Sequence, residues 1–541
     1  MKQFFTGCLL TITLYLPAQT WQDTTVLLDK LLSRYSAEAP GAQLAVSRGG
    51  RVIYSFVKGL AELENKVPLT KESLIEAGSV SKQFTAACIL LLEQQGKLFL
   101  SDDVRKYVPE IPDYKHVITL HHLLHHTSGL KDWGAIAELS GWPRTTKSYT
   151  NDDALHFISL QKTLNNIPGD EYIYSNSNYN LLAIVIQRVS VSSLAEFSAK
   201  NIFIPAGMTH TSWRDNYRRI VPNRAVAYSK LGFTYLATMP NENAYGNGGL
   251  LTTTEDLLKW NDHYLAGKLG TPSLLNKQKE TEPLNNGNRN SYAAGLIVDS
   301  TNGWASITHS GATAGYRANM EYYPDLDLSI AWLSNTSQAE FSDIFLSVRN
   351  LLVKSRKTIT PPNFSPDTTV PTGSFTPYLG AYRNIKTGAA IVLYESRGGI
   401  YSQGNSSALI PLSASELLQG RSRIQFTVAN TRQLRFIEGS GNIEMYEGTD
   451  SARTDSTSLR EYVGAYYSDE TESATEILMK KGALYLKRKP GLEVQLLPLY
   501  KDGFSFPGGV LYFHRDTTQK LTGFLASIPR ARNVNFVGKN K

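Results

Sequence analysis

The sequence predicts an α+β fold: one antiparallel sheet flanked by helices, an inserted helical lobe, and an all-β domain beyond it. Three observations carry this. Strand-like alternation sits at both ends of the first 354 residues, while helical periodicity fills the middle. A polar stretch, residues 355–377, then breaks the pattern with Pro361, Pro362, Pro366, Pro371 and Pro377, and reads as a linker. Past it, Tyr378-Leu379-Gly380-Ala381-Tyr382 returns as Tyr462-Val463-Gly464-Ala465-Tyr466, 84 residues later. Both copies consist of short alternating segments separated by turns. Residues 378–541 are therefore expected as two similar halves, 378–458 and 459–541, forming one barrel of two halves or two small barrels in tandem.

A chain of 541 residues is too long for a single core. Its 41% hydrophobic and 19% charged residues are those of an ordinary globular protein, and a net charge of +7 without any dense basic run excludes nucleic acid as a partner. Met1-Lys2, the apolar run Phe4 to Leu16 and the exit Pro17-Ala18-Gln19 read as a signal peptide over residues 1–18. That run is too short to span a bilayer, and no later stretch of 18 apolar residues follows. The expected location is outside the cytoplasm, periplasmic or secreted. Cys8 leaves with the leader, so Cys88 stands alone and no intrachain disulfide is expected.

The first domain, residues 19–354, reads in order as follows. Val26 to Leu32 is helical, and Gln43–Ser47 and Val52–Phe56 form a hairpin turning at Arg48-Gly49-Gly50. Val80, Phe84, Ala87, Cys88 and Leu91 share one helical face, in a helix beginning at Ser79 and stopping at Gly96. Thr119 caps a helix from Leu120 to His126 that holds four of the ten histidines. Its i, i+4 pairs point to different faces with no nearby Glu, Asp or Cys, so neither metal nor cofactor is expected. Leu181, Leu182, Val185, Ile186 and Val189 form the stripe of another helix, and residues 212–247 look irregular, as a loop over a cleft. Thr254 caps a helix to Tyr264. Strands are expected at Ala294–Asp299, Ala305–His309, Tyr316–Tyr323 and Leu328–Leu333, before a closing helix Phe341–Val353. The cleft between sheet and lobe is the expected site.

Ser79-Val80-Ser81-Lys82 places a hydroxyl and an amine on one face of a first helical turn. Burial disfavours the charged amine, a neutral lysine can take a proton from serine, and the helix start offers N–H groups to an oxyanion. By itself S-x-x-K is a common pattern. Tyr174-Ser175-Asn176 and His309-Ser310-Gly311 follow it in order, and the trio resembles the S-x-x-K serine hydrolases, the family of class C β-lactamases and smaller penicillin-binding proteins, over roughly residues 25–354. Glu76-Ala77-Gly78, His126-Thr127-Ser128-Gly129-Leu130 and Gly248-Gly249-Leu250 resemble it too. Decoys exist: Tyr149-Thr150-Asn151 and Tyr245-Gly246-Asn247 also fit Y-x-N. Lys386-Thr387-Gly388 fits K-T-G but falls in the tail, where it reads as a hairpin turn and no catalytic constellation is seen.

The resemblance implies Ser79 as nucleophile, with Lys82, Tyr174 or both removing its proton, and Asn176 positioning Lys82 and the substrate amide. It implies an oxyanion hole from the N–H groups of Ser79 and Ala312, with His309, Ser310 and Gly311 on the substrate-binding strand. His309 stands where β-lactamases usually carry lysine, which points toward D-alanyl-D-alanine carboxypeptidases, D-aminopeptidases and esterases of the family, where it polarises the site or contacts a substrate carboxylate. The expected activity is cleavage of a peptide, amide or ester bond in a small substrate, with D-amino-acid peptides, including cell-wall fragments, as the first class. A β-lactamase or carboxylesterase on the same site, and a non-catalytic penicillin- or cell-wall-peptide-binding protein, are the alternatives; oligomeric state is left open.

Overall fold

A computed structural model describes residues 21–539, apart from 145, 266, 268, 270–271, 357–365, 429–431 and 439–441. The expected leader thus lies outside the described residues. The first domain is built on a six-stranded antiparallel sheet. Its strands are β1 (Ala42–Arg48), β2 (Arg51–Lys58), β3 (Ile297–Thr301), β4 (Trp304–Thr313), β5 (Tyr316–Tyr323) and β6 (Leu328–Ser334), in the order β3-β4-β5-β6-β1-β2. The first and last parts of the domain thus meet at β6–β1, with Ala42 opposite Ser334 and Arg48 opposite Leu328. The β1–β2 hairpin turns on Gly49 and Gly50, both at positive φ, as a tight primed turn requires.

Alternation along β1 sorts its side chains to two cores. Ala42, Leu44 and Val46 join Leu28 and Leu32 of the first helix (Trp21–Leu32) and Phe341 and Phe345 of the last (Ala339–Leu352). Ala45 faces the other way, into the core shared with the helical lobe. There the nucleophile helix (Lys82–Gln94) packs with the Asn176–Ser190 helix, and Phe84 and Leu91 of the one lie in the same buried cluster as Leu182 and Val185 of the other. A side chain such as Phe84, removed from water entirely, contributes about 1.5–3 kcal/mol.

Several expectations shift. The helix expected from Ser79 is a 3-10 turn over Gly78–Ser81, and the α-helix starts only at Lys82. The Thr119-capped helix ends at Leu124, because the chain turns out at His126, whose φ is +56°. Thr253, whose Oγ1 accepts the Asp256 N–H at 3.2 Å, caps the Thr254–Leu265 helix in place of Thr254. Residues 212–247 carry a hairpin, Tyr228–Leu231 with Thr234–Ala237, and Ser212–Trp213 pairs with Leu250–Thr252. Part of the proline-rich stretch is folded: Thr372–Tyr378 is a 3-10 helix whose Phe375 is fully buried.

The tail forms two eight-stranded antiparallel units. The first runs from Gly380–Asn384 to Ile443–Thr449 around Phe375, Tyr382, Leu417 and Phe426. The second, from Gly464–Ser468 to Ala531–Gly538, is a closed barrel filled by Tyr466, Phe504, Phe513, Phe524 and Phe536. The repeated pentapeptide performs one task in both: the Tyr382 hydroxyl donates to the Tyr378 carbonyl at 2.9 Å, and Tyr466 does the same to Tyr462 at 2.9 Å. Lys386-Thr387-Gly388 is the turn of the hairpin between Gly380–Asn384 and Ala390–Ser396.

The barrel is docked on the first domain. Ala135, Ile136 and Leu139 of the short helix Trp133–Leu139 belong to the barrel's core. Beside them Lys131 and Glu470 form an ion pair at 2.8 Å, with both side chains nearly inaccessible to water.

Candidate active site

Ser79 owes its position to two glycines. Gly78 has φ +51°, and a Cβ there would lie 2.7 Å from the Ala312 nitrogen. A Cβ on Gly311 would lie 2.0 Å from the Ala77 carbonyl oxygen and 3.1 Å from the Ser79 nitrogen. The nucleophile turn and strand β4 thus run backbone against backbone, with the main-chain nitrogens of Ser79 and Ala312 on the two sides of the contact. N–H groups at the start of a helical turn have no partner within it.

Lys82 follows one turn on and is 0% exposed. Its Nζ lies 3.2 Å from Ser79 Oγ, 3.0 Å from Asn176 Oδ1 and 2.5 Å from the Asn247 carbonyl oxygen. Burial holds its pKa well below the ordinary 10.5; Arg144 and Arg530 push it the same way and Asp132 opposes them. Tyr174 sits just before the Asn176 helix. Its ring lies 4.8 Å from Lys82 Nζ and 4.3 Å from the His126 ring. Burial raises the pKa of its phenol, and a hydrogen bond with Ser79 works against that rise.

Asn176 is the first residue of its helix, and its N–H donates to Asp132 Oδ2 at 2.7 Å. The other oxygen of Asp132 accepts the Ala135 N–H at 3.0 Å and caps the Trp133–Leu139 helix. One carboxylate therefore ties together the starts of two helices.

His309 is in the middle of β4, which continues to Thr313, and not at a strand end. The Ser310 carbonyl 2.6 Å away can only accept, so Nδ1 carries the proton and the Tyr292 hydroxyl donates to Nε2 at 3.0 Å. Burial, with the nearby Lys82, pulls the ring down to about 4. His309 is thus a neutral ring with both nitrogens engaged. The role of charged contact for a substrate carboxylate does not suit it.

Ser79, Tyr174, Asn176, His309, Ser310, Gly311 and Ala312 line one pocket of about 590 Å³, with Lys82 behind Ser79. Sequence reasoning missed three participants. Asp132 carries no motif signal. Asn247 belongs to the Y-x-N stretch set aside as a decoy, and acts through its backbone carbonyl, which no side-chain pattern reveals. Arg530 comes from the barrel: it lies on the tip between Leu521–Ile528 and Ala531–Gly538, and its guanidinium stands 4.9 Å from the Tyr174 ring.

Comparison with known proteins agrees with this geometry. Penicillin-binding protein 4* of Bacillus subtilis is 30% identical over 360 residues, covering 62% of this chain and 78% of its own. The D-aminopeptidase of Brucella canis is 24% identical over 523 residues, covering 92% of this chain and 96% of its own. Among solved structures, the octameric penicillin-binding protein homologue from Pyrococcus abyssi superposes with a TM-score of 0.53 at 20% identity, over 87% of this chain and 98% of its own. The D-amino acid amidase from Ochrobactrum anthropi SV3 gives 0.52 at 20%, over 62% and 100%. The family profile described as Beta-lactamase matches residues 28–353. With that match spanning more than half its length, the chain belongs to the beta-lactamase family of serine hydrolases.

Proposed function

We propose that the protein hydrolyses D-amino-acid peptides or amides through an acyl-enzyme on Ser79, and that it does so outside the cytoplasm after loss of residues 1–18. The observation that carries the reading is the surround of the Lys82 amine. A neutral amine has two N–H donors and one lone pair. The Asn176 and Asn247 oxygens can take both donors, which leaves the lone pair for the Ser79 hydroxyl 3.2 Å away.

Ser79 Oγ attacks the substrate carbonyl as its proton passes to Lys82 Nζ. The carbonyl oxygen becomes an oxyanion between the N–H groups of Ser79 and Ala312. The Tyr174 phenol, kept protonated by burial, donates to the leaving nitrogen and is reprotonated from Lys82. The carbon–nitrogen bond breaks, the amine departs, and an ester to Ser79 remains. Water cleaves that ester with the same groups acting in reverse. The named activities of the D-aminopeptidase and D-amino acid amidase relatives favour a D-configured substrate. The sequence of residues 1–18 supports export, and among the described residues no single helix is long and apolar enough to cross a membrane.

The test is a panel of D-Ala-D-Ala peptides, D-amino-acid amides, nitrocefin and p-nitrophenyl esters, together with fluorophosphonate labelling, each beside Ser79→Ala. Turnover of the D-configured substrates and a label on Ser79, both lost in the variant, are expected. Activity that survives Ser79→Ala overturns the reading.

A further inference from the structure

The pocket around Ser79 has three arginines in its wall, Arg144, Arg317 and Arg530, and no carboxylate. Two of the three are occupied by the protein. Arg144 pairs with Glu242, and Arg317 Nη1 donates to the carbonyls of Ala314 and Tyr316 at 3.0 and 2.7 Å. Neighbouring Arg532 is also occupied, by Glu171 at 2.9 Å. Among the described residues, no carboxylate comes within ion-pair distance of the Arg530 guanidinium, which stands over the face of the Tyr174 ring.

Its backbone is fixed all the same. The Arg530 carbonyl accepts the Asp132 N–H at 3.0 Å and an Asn165 Nδ2 hydrogen at 3.1 Å, and the Arg532 N–H donates to Asn165 Oδ1 at 2.8 Å. A cation held by its own main chain, stacked on an aromatic ring and unpaired, is set up to meet an anion from outside. His309, which lines the same pocket, is neutral and offers no competing charge.

Building on the function proposed above, we infer that Arg530 is the specificity residue for a free carboxylate on the leaving group. Its placement on Tyr174 decides the side: the phenol serves the departing nitrogen, so the arginine above it meets what that nitrogen carries. The substrate class is then a peptide ending in a D-amino acid with its α-carboxylate free, and the released product is that amino acid. Arg530 also lines the larger cleft between the first domain and the tail, about 1010 Å³, which shares Tyr172, Tyr174 and Tyr292 with the inner pocket. The carboxylate therefore lies where the two spaces join, on the exit path of the product. A guanidinium grips a carboxylate with two parallel N–H bonds, so lysine is only a partial substitute.

The test compares kcat/KM for N-acetyl-D-Ala-D-Ala and its C-terminal amide in the full chain. The acid is expected to be preferred about 10- to 100-fold, the range of a lost hydrogen bond to a charged group. Arg530→Gln should bring the ratio near one, Arg530→Lys should keep part of it, and Arg530→Glu should favour the amide. A second readout is protection of Ser79 from a neutral fluorophosphonate by D-alanine, the leaving-group product, expected in the parent and lost in Arg530→Gln. If the acid preference and the protection are the same in parent and Arg530→Gln, the assignment is overturned while the hydrolase reading stands. If the parent neither turns over any substrate nor takes the label, both are overturned together.

Discussion

At the scale of single residues, the proposed chemistry depends on Lys82 being uncharged. Activity should therefore rise with pH as the ammonium loses its proton, along a limb placed below the ordinary lysine value of 10.5 by burial and by Arg144 and Arg530. Lys82→Ala should lower kcat/KM by about 10²–10⁴ and remove the limb. A pH–rate profile on a neutral p-nitrophenyl ester reads this directly, and a limb unchanged in Lys82→Ala would assign the base elsewhere. His309 does not confuse the profile, since it stays neutral down to about 4. Ser79 and Lys82 were legible in the sequence because their spacing is a chemical pattern, and Tyr174 and His309 through the resemblance of their motifs to those of the family. The neutral state of His309 was not, since it follows from Tyr292 and Ser310 closing both its nitrogens.

Among elements, the contact that matters most is the nucleophile turn against β4. Nothing larger than hydrogen fits at 78 or 311, because backbone already occupies both places. Gly311→Ala should force the strand off the turn and open the oxyanion hole. We expect kcat to fall by about 10²–10³ with circular dichroism unchanged. Full activity in that variant would remove Ala312 from the mechanism. The same contact explains a misread boundary. Helical periodicity located the apolar face of the Lys82–Gln94 helix, yet a period cannot distinguish a 3-10 first turn from an α-helical one. It is the tighter turn that carries Ser79 along the edge of β4. The hairpin inside residues 212–247 was missed because Tyr228–Leu231 and Thr234–Ala237 are mostly exposed and lack a strong apolar alternation.

For the molecule as a whole, the first domain and the barrel meet at the pocket around Ser79, where Arg530 of the barrel forms part of the wall. Glu470 accepts from Lys131 Nζ, from the Lys162 N–H and from the Asn535 N–H, all within 3.3 Å. Glu470→Ala leaves a buried ammonium unpaired, at a cost of about 3–5 kcal/mol. Thermal unfolding should then split into separate transitions, and limited proteolysis should cut first near the proline-rich stretch. A single unshifted transition would mean that the barrel is held mainly by the apolar seam at Ala135, Ile136 and Leu139. The two tail halves were legible from the repeated pentapeptide, whose tyrosines make the same bond in each. Their placement was not, because docking depends on charges and carbonyls hundreds of residues apart, and Lys131 and Glu470 have no common pattern in the chain.

The turn at Pro529 and Arg530 is fastened through main-chain atoms, which every amino acid possesses. The side chain at 530 can therefore change without loosening the barrel. Such a position is an exchangeable tip, on which evolution or a protein engineer could retune the enzyme's appetite, with a shift of the pH limb as the accompanying change, since the charge at 530 also helps to hold the Lys82 amine neutral.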